Sequence, residues 1–400
     1  MIYTETSVKN YLRKNCQHID SWFCDSYQAS PYKGCAHNCA YCDGRSESYY
    51  YDDKFGKEIE IKANAAELFP KEIKTLKEPG YIFVGSGITD PYQPIEAKYR
   101  LIRQTLQTIL KTDLGFPLPV HILTKGKLVE DDLPLIAKIA QKSGAILSFS
   151  IASDDEKTRE WMEPGAALLA DRYRILSKAK KMGIATGIML IPTIPFISDS
   201  ERSIESIVKK GKEAKVDFIL FGGLTLKPGK QKTYYLNELK KHRPDAVEPT
   251  ENLYADCDFW GNAKGSYYTQ INNLFTRLIQ KSKIPFRIPH ALLKNKLPLY
   301  VQAALLLSHL ADYLGVLGKP RYNLHKVGAQ IQLWAYNLKK GQMQKKDFDY
   351  RNIEAEFRQK VLSGEIKNLD VSAFAVGLLQ ELVETGTVNL YQKLTNYRYQ

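Results

Sequence analysis

Between residues 81 and 223 the sequence alternates short, continuous apolar runs with amphipathic segments, and this alternation restricts the fold more than any other feature. "YIFVGSG" (81–87) precedes "EAKYRLIRQTLQTILKT", "VHILTK" (120–125) precedes "EDDLPLIAKIAQK", and "AILSFSIAS" (145–153) precedes "GAALLADRYRILSKAKKM". "ATGIMLI" (185–191) then precedes "DSERSIESIVKKGKEA", and "DFILFGG" (217–223) leads into a polar, lysine-rich stretch. Continuous apolar runs suit parallel strands buried on both faces, with the amphipathic segments as crossover helices. A strand near "CDSYQAS" (24–30), with "EIEIK" (58–62) as a further candidate, brings the count to about six β/α units, which predicts an α/β fold, a partial (β/α)6 or full barrel of the TIM type.

Past residue 250 the pattern turns helical, in "YYTQINNLFTRLIQKSK", the 299–314 segment, "GAQIQLWAYNLKKG", "NIEAEFRQKVLSG" and "VSAFAVGLLQELVETG". The expected organisation is an N-terminal extension (1–27), a barrel core (28–250) and a mostly helical C-terminal region (251–400), with a break at "YLGVLGKPRYN" (313–323). At 400 residues and 44% apolar composition the chain can bury a large core. Its polar, charged start lacks a signal peptide's apolar segment. The longest apolar stretch, "LPLYVQAALLLSHLADYLGVLG", contains Gln302, His309 and Asp312, which reads as a core helix and not a membrane span. No membrane association and a cytoplasmic location are expected; the sequence leaves the oligomeric state open.

In barrels of this type the chemistry sits in loops after the C-terminal ends of the strands. That rule nominates "PYKGCAHNCAYC", "GSGITDPYQPIE", "TKGK", "IASDDE", "PTIPFISD" and "GGLTLKPGK" together. The first holds three of the six cysteines, Cys35, Cys39 and Cys42, spaced C-x3-C-x2-C. Six cysteines in a chain this long are too sparse for a disulfide scaffold, so a clustered triplet points to metal or redox chemistry. A closed zinc site takes four protein ligands and would need His37, Cys16 or Cys24 as the fourth, with His37 folding back awkwardly between two ligands. A 4Fe-4S cluster on three cysteines instead leaves one iron open to a substrate or cofactor.

"CAHNCAYC", with aromatic Tyr41 before the third cysteine, resembles the signature of the radical S-adenosylmethionine (SAM) superfamily. Over residues 28–225, "SPYKGCAHNCAYCDGR", "GSGITDPYQPIE", "HILTKG" and "EPGAALLADRYRILSKAKKMGI" are similar to its spore photoproduct lyase-like branch, also described as DNA repair photolyase-like. The resemblance implies a 4Fe-4S cluster on Cys35, Cys39 and Cys42 whose open iron chelates SAM. Reductive cleavage, fed by an external electron donor such as flavodoxin or ferredoxin, then gives a 5'-deoxyadenosyl radical that abstracts hydrogen from a substrate.

The same resemblance nominates Tyr41 for the adenine, Asp90 with Ser86 and Thr89 for the ribose or methionine, Lys125 for the carboxylate, and Ser150 as a further contact. Each has a plainer reading. Tyr41 could simply pack, Asp90 could close an Asx turn before Pro91, and Lys125 could be a solvated strand end. Ser148 and Ser153 are close enough to Ser150 to be confused with it. Arg172 reads as a helix-surface ion pair and a weaker carboxylate candidate, and Glu96 as a first-turn helix acid. Two departures from the branch stand out: Asp43 replaces the tyrosine after the third cysteine, and the "GSGITD" segment lacks the hydrogen-donating cysteine. Cys257 is a weak substitute donor, because a lone cysteine is more often a small buried apolar group.

The formal charge of +13 favours acidic partners, nucleic acid among them. "LKPGKQKTYYLNELKKHRP" (226–244) and "NLKKGQMQKKDFDYR" (337–351) could follow a phosphate backbone, or be solvated faces. Nucleic-acid lesion repair or modification is thus the first expectation, and radical modification of a peptide, protein or small metabolite the second. A non-catalytic zinc-binding nucleic-acid module is the alternative from a different class.

Overall fold

A computed structural model describes residues 1–14, 19–49, 54–321, 323–345, 348–365 and 371–395. Ten strands are described: β1 (Ile2–Thr6), β2 (Leu12–Lys14), β3 (Asp25–Ala29), β4 (Tyr32–Lys33), β5 (Glu58–Lys62), β6 (Tyr81–Val84), β7 (Val120–Thr124), β8 (Ala145–Ser150), β9 (Ala185–Thr193) and β10 (Phe218–Gly223). They form a seven-stranded sheet in the order β10-β9-β8-β7-β6-β3-β2 and a three-stranded sheet in the order β1-β5-β4. Every pairing from β3 to β10 in the large sheet is parallel, and β2 is an antiparallel edge strand on β3. Six parallel strands with helical crossovers are the expected partial barrel.

The crossover helices are α1 (Ala65–Glu72), α2 (Glu96–Tyr99), α3 (Leu101–Lys111), α4 (Leu133–Lys142), α5 (Glu156–Met162), α6 (Leu169–Lys181) and α7 (Glu201–Glu213). Helix α7 shows why the sequence folds this way. Ser200 accepts a hydrogen bond from Ser203 N to start it, and Ile204, Ile207, Val208 and Gly211 repeat at helical spacing to form its buried face. All four residues of β6 and all six of β8 are buried, as strands covered on both faces require.

One strand expected in the barrel is elsewhere: "EIEIK" is β5, flanked by β1 and β4 in the small sheet. Its residues alternate between half-buried and fully buried, the pattern of a sheet with one face on the core. Residues 1–27, expected as an extension, contribute β1 to that small sheet and β2 to the barrel edge.

After β10 come α8 (Lys230–His242), α9 (Val247–Leu253), α10 (Gly265–Ser282), α11 (His290–Leu293), α12 (Leu299–Val316), α13 (Leu324–Lys345), α14 (Tyr350–Leu362), α15 (Ala373–Thr385) and α16 (Leu390–Thr395). The expected break at 313–323 begins inside α12, whose last residues are Tyr313–Val316, and includes residue 322, outside the described residues; α12 and α13 pack on each other. Helix α12 is long and apolar enough to cross a membrane, but 78% of it is buried inside the fold. Its sides are covered by α10, α11 and α13 to α16, so its apolar character is spent on a core.

Candidate active site

The cysteine triplet lies on the loop after β3, at the same end of the barrel as the loops after β6, β7, β8, β9 and β10. Cys35 and Cys39 are buried and Cys42 is partly so. Their shape is set by an internal arginine: Arg45 donates from Nε to Cys39 O at 3.0 Å and from Nη2 to Asn38 Oδ1 at 2.6 Å, while its guanidinium lies 3.5 Å from the Tyr234 ring centroid. Asn38 holds a left-handed backbone, φ 54°, which Asn tolerates better than most residues.

Three neighbouring segments fix the loop from outside. Gln93 accepts from Ala36 N at 2.9 Å and donates to Gly34 O at 3.3 Å, and Thr89 Oγ1 donates to Gly34 O. The 162–167 segment lies across the loop: Ala40 N donates to Met162 O at 2.8 Å, Gly165 N to His37 O at 3.1 Å, and Ala167 N to Lys125 O at 2.9 Å. A Cβ on Gly165 would stand 2.5 Å from Ala36 O and 2.8 Å from His37 Cα, so only glycine permits this approach. On the third side Asp43 accepts from Thr225 Oγ1 and Gln231 Nε2, both at 2.9 Å, and pairs with Lys227 at 2.7 Å. Gln231 also donates to Tyr41 O at 3.0 Å. These contacts join the loop after the first barrel strand to the loop after the last, across the seam that the linear sheet leaves open.

Asp90 is a clamp. Its carboxylate accepts from Tyr92 N (2.8 Å), Thr124 Oγ1 (2.6 Å) and Lys125 N (2.7 Å), and Oδ2 lies 3.3 Å from His37 Nε2. Burial opposes its ionisation, but His37 and these donors outweigh burial and hold the carboxyl below its usual range. The Asx turn is therefore present, extended into a link between the cysteine loop and β7, and both oxygens are engaged within the protein.

Lys125 and Ser150 come together as expected. Lys125 Nζ donates to Ser150 Oγ at 2.7 Å, lies 3.9 Å from Glu163 Oε1, and sits 5.8 Å from the Tyr41 ring centroid. Ser150 Oγ donates onward to Ile191 O at 3.1 Å. Ser148 lies deeper and is paired with His121, Nε2 to Oγ at 2.9 Å, while Ser153 accepts from Asp155 N in a turn before α5. Ser86 is partly buried and accepts from Ile88 N at 3.3 Å.

Glu163 was not visible as a site residue from sequence. It accepts from the Tyr41 hydroxyl and forms an ion pair with Arg172, Oε2 to Nη2 at 2.6 Å. Arg172 is fully buried, not a surface residue as expected. Its Nε donates to Ala167 O and its Nη1 to Ser150 O, both at 2.9 Å. Burial penalises both charges. The pair and Lys125 nonetheless hold Glu163 below its usual range, and Glu163 holds Arg172 and Lys125 above theirs. Glu96 accepts from the Tyr32 hydroxyl and from Ile102 N and Arg103 N at the start of α3; burial pushes it up to about 7. Cys257 is half-buried beside Leu226, its Sγ 3.8 Å from Leu226 O.

The cysteines have the chemistry of cluster ligands. Burial pushes Cys39 up to about 12 and raises Cys35 and Cys42, with mutual repulsion adding to the rise in Cys35 and Cys39. Three such thiols on one loop become thiolates when a strongly positive group neutralises them. Among the described residues no three His, Cys, Asp or Glu side chains gather as ligands of one metal ion. The proposed fourth zinc ligands are also placed elsewhere. His37 faces Asp90 and Gly165 O, Cys24 lies at the start of β3, at the opposite end of the barrel, and Cys16 falls outside the described residues. Three free thiols on one loop, with none of these candidates beside them as a fourth ligand, are the donor set that a 4Fe-4S cluster with one open iron takes.

Residues 29–203 match the family model described as the Radical SAM superfamily, so the barrel is similar to radical SAM domains. Its fold is spore photoproduct lyase-like: a spore photoproduct lyase mutant superposes with a TM-score of 0.52 at 15% identity, covering 70% of this chain and 79% of that one. The form with bound AdoMet and dinucleoside spore photoproduct gives 0.51 over the same shares. Among curated proteins, an uncharacterized protein of Mycobacterium tuberculosis (strain ATCC 25618 / H37Rv) is 27% identical over 236 residues, 57% of this chain and 67% of its own length. One from Methanocaldococcus jannaschii is 28% identical over 230 residues, 57% of this chain and 81% of its own. The superfamily implies a 4Fe-4S cluster and SAM.

Proposed function

We propose that the protein is a radical SAM enzyme acting on nucleic acid, with Cys35, Cys39 and Cys42 holding the cluster. The observation that carries the radical chemistry is the buried thiol triplet, braced on three sides, on the loop after the first barrel strand. A 4Fe-4S cluster with bound SAM would supply a 5'-deoxyadenosyl radical after reduction by an external donor of the flavodoxin or ferredoxin kind.

The chain's own residues then position and shield. Lys125 is a partly buried cation beside Ser150 and Tyr41, suited to the carboxylate of SAM as a point charge. Glu163 keeps Lys125 charged and fixes the Tyr41 ring, and Arg172 balances Glu163. Asp90 and Thr89 act through the loop they brace. Ser86 is partly buried on the loop after β6, where its hydroxyl accepts from Ile88 N and can still donate to the cofactor. A reactive carbon radical needs water kept away, a task that would fall to the barrel walls.

Support for a nucleic-acid substrate is the net charge of +13 and the likeness to a lyase whose structure holds a dinucleoside photoproduct. The absence of cysteine from residues 85–90 favours the second reading, radical modification of a peptide, protein or small metabolite. Thiols Cys24, Cys35, Cys39, Cys42 and Cys257 are all free, consistent with a cytoplasmic enzyme.

The test is anaerobic. Reconstituted protein should be brown, hold about four irons per chain, and bind DNA or RNA with an affinity that falls as salt rises. Deoxyadenosine formation should accelerate when nucleic acid is added. Stoichiometric zinc without iron would overturn the radical chemistry. Iron loading with no response to any nucleic acid would overturn the substrate class alone.

A further inference from the structure

The loop joining α9 to α10 presents two aromatic rings to solvent. Phe259 is 69% exposed and Trp260 63%, their centroids 5.3 Å apart in an edge-to-face pair. Leaving two large rings in water costs hydrophobic free energy, and the loop is built to keep them there. Asp258 accepts from Asn262 N at 3.0 Å and from Asn262 Nδ2 at 2.9 Å, and its carbonyl accepts from Gly261 N at 2.9 Å. Gly261 has φ +75°, and a Cβ there would stand 2.3 Å from the Leu226 and Lys227 backbone. Leu226 N donates to Gly261 O at 2.8 Å. The tip is thereby fastened to the loop that follows β10, at the barrel rim.

Two more exposed rings lie on loops at this end of the barrel. Tyr49, at the end of the cysteine loop, lies over Lys227 with Nζ 5.3 Å from its centroid. Phe196, on the loop after β9, is 41% exposed, and its N donates to Asp199, which also accepts from Tyr267. With Phe259 and Trp260 these are all flat rings. Rings of this kind suit unpaired bases, each of which has a π-face. Exposed Lys264 follows the tip, exposed Lys230 opens α8, and the chain carries +13.

We propose that Phe259 and Trp260 form a stacking platform for unpaired bases of single-stranded or locally opened nucleic acid at the barrel mouth. This rests on the nucleic-acid reading above and gives it a surface and a strand form. The other three tryptophans, Trp22, Trp161 and Trp334, are partly buried, so Trp260 dominates the exposed emission.

The experiment uses a short single-stranded DNA oligonucleotide of mixed sequence, its RNA counterpart and a fully paired duplex, at fixed low salt. Single strands should quench tryptophan emission more than the duplex. The double variant Phe259→Ala/Trp260→Ala should bind single strands roughly 10- to 100-fold more weakly, from the usual worth of base stacking, with iron content and unstimulated deoxyadenosine formation unchanged. Trp260→Tyr should keep most of the affinity, and Phe259→Leu/Trp260→Leu should not. Equal affinity in wild type and the double alanine variant, or full affinity in the leucine variant, would overturn the platform while leaving a nucleic-acid substrate standing. No binding and no stimulation in the wild type would overturn the underlying reading as well.

Discussion

The buried Glu163–Arg172 pair gives a quantitative test of how the site is held together. At 2.6 Å an effective dielectric of 20 gives an attraction of about 6 kcal/mol before desolvation is charged against it. Removing one partner strands the other, which typically costs about 3–5 kcal/mol. Here Arg172 would keep its bonds to Ala167 O and Ser150 O, so Glu163→Gln should cost about 3 kcal/mol. Arg172→Met should cost a similar amount, because Glu163 keeps only Lys125 at 3.9 Å and the Tyr41 hydroxyl. The double variant leaves no stranded charge of the pair, and its cost should fall short of the sum by about 2 kcal/mol or more. Urea denaturation of the apoprotein, followed by a barrel-specific probe, measures all four corners of the cycle. Additive costs would refute the argument that these two charges exist for each other.

Three further outcomes are expected. His121 is fully buried inside the barrel, and burial lowers it to about 4; the unfolded chain protonates near 6.5 while the fold does not. Its contribution is thus present above pH 6.5 and lost as pH falls towards 4, amounting to about 2 kcal/mol at pH 5, and His121→Asn should flatten urea midpoints between pH 7 and 5. Gly165→Ala should lower iron retention, since the new methyl meets the Ala36 and His37 backbone; iron content equal to wild type would show that the 162–167 segment does not shape the cysteine loop. Cys257→Ala should keep full iron and colour, because its thiol sits against Leu226 O, and loss of iron would place it in the cluster site.

The barrel was legible because buried parallel strands leave continuous apolar runs, and β6 to β10 all have them. "EIEIK" carried a period-two alternation that separates it from those runs, and that period marked its place in the small half-covered sheet. Arg172 illustrates a signal present but outweighed. Its neighbours Asp171 and Arg174 suggested a charged surface, yet it shares a helical face with Leu169, Ile175, Leu176 and Ala179, all buried. Asp43 could be seen to differ from the related branch, but its partners Thr225, Lys227 and Gln231 lie more than 180 residues away, and no local pattern encodes that. Glu163 sat inside a recognised stretch, "EPGAALLADR", without a period or spacing to single it out; its role arises only when Tyr41, Lys125 and Arg172 converge from three elements.

The most direct measurement of the central claim is 5'-deoxyadenosine formed from SAM and dithionite by anaerobically reconstituted protein, compared with its Cys39→Ala variant. The account predicts deoxyadenosine from the wild type and none above background from the variant, which loses one of three cluster ligands. Wild-type protein carrying its full iron and forming no deoxyadenosine, or a variant as active as wild type, would contradict it.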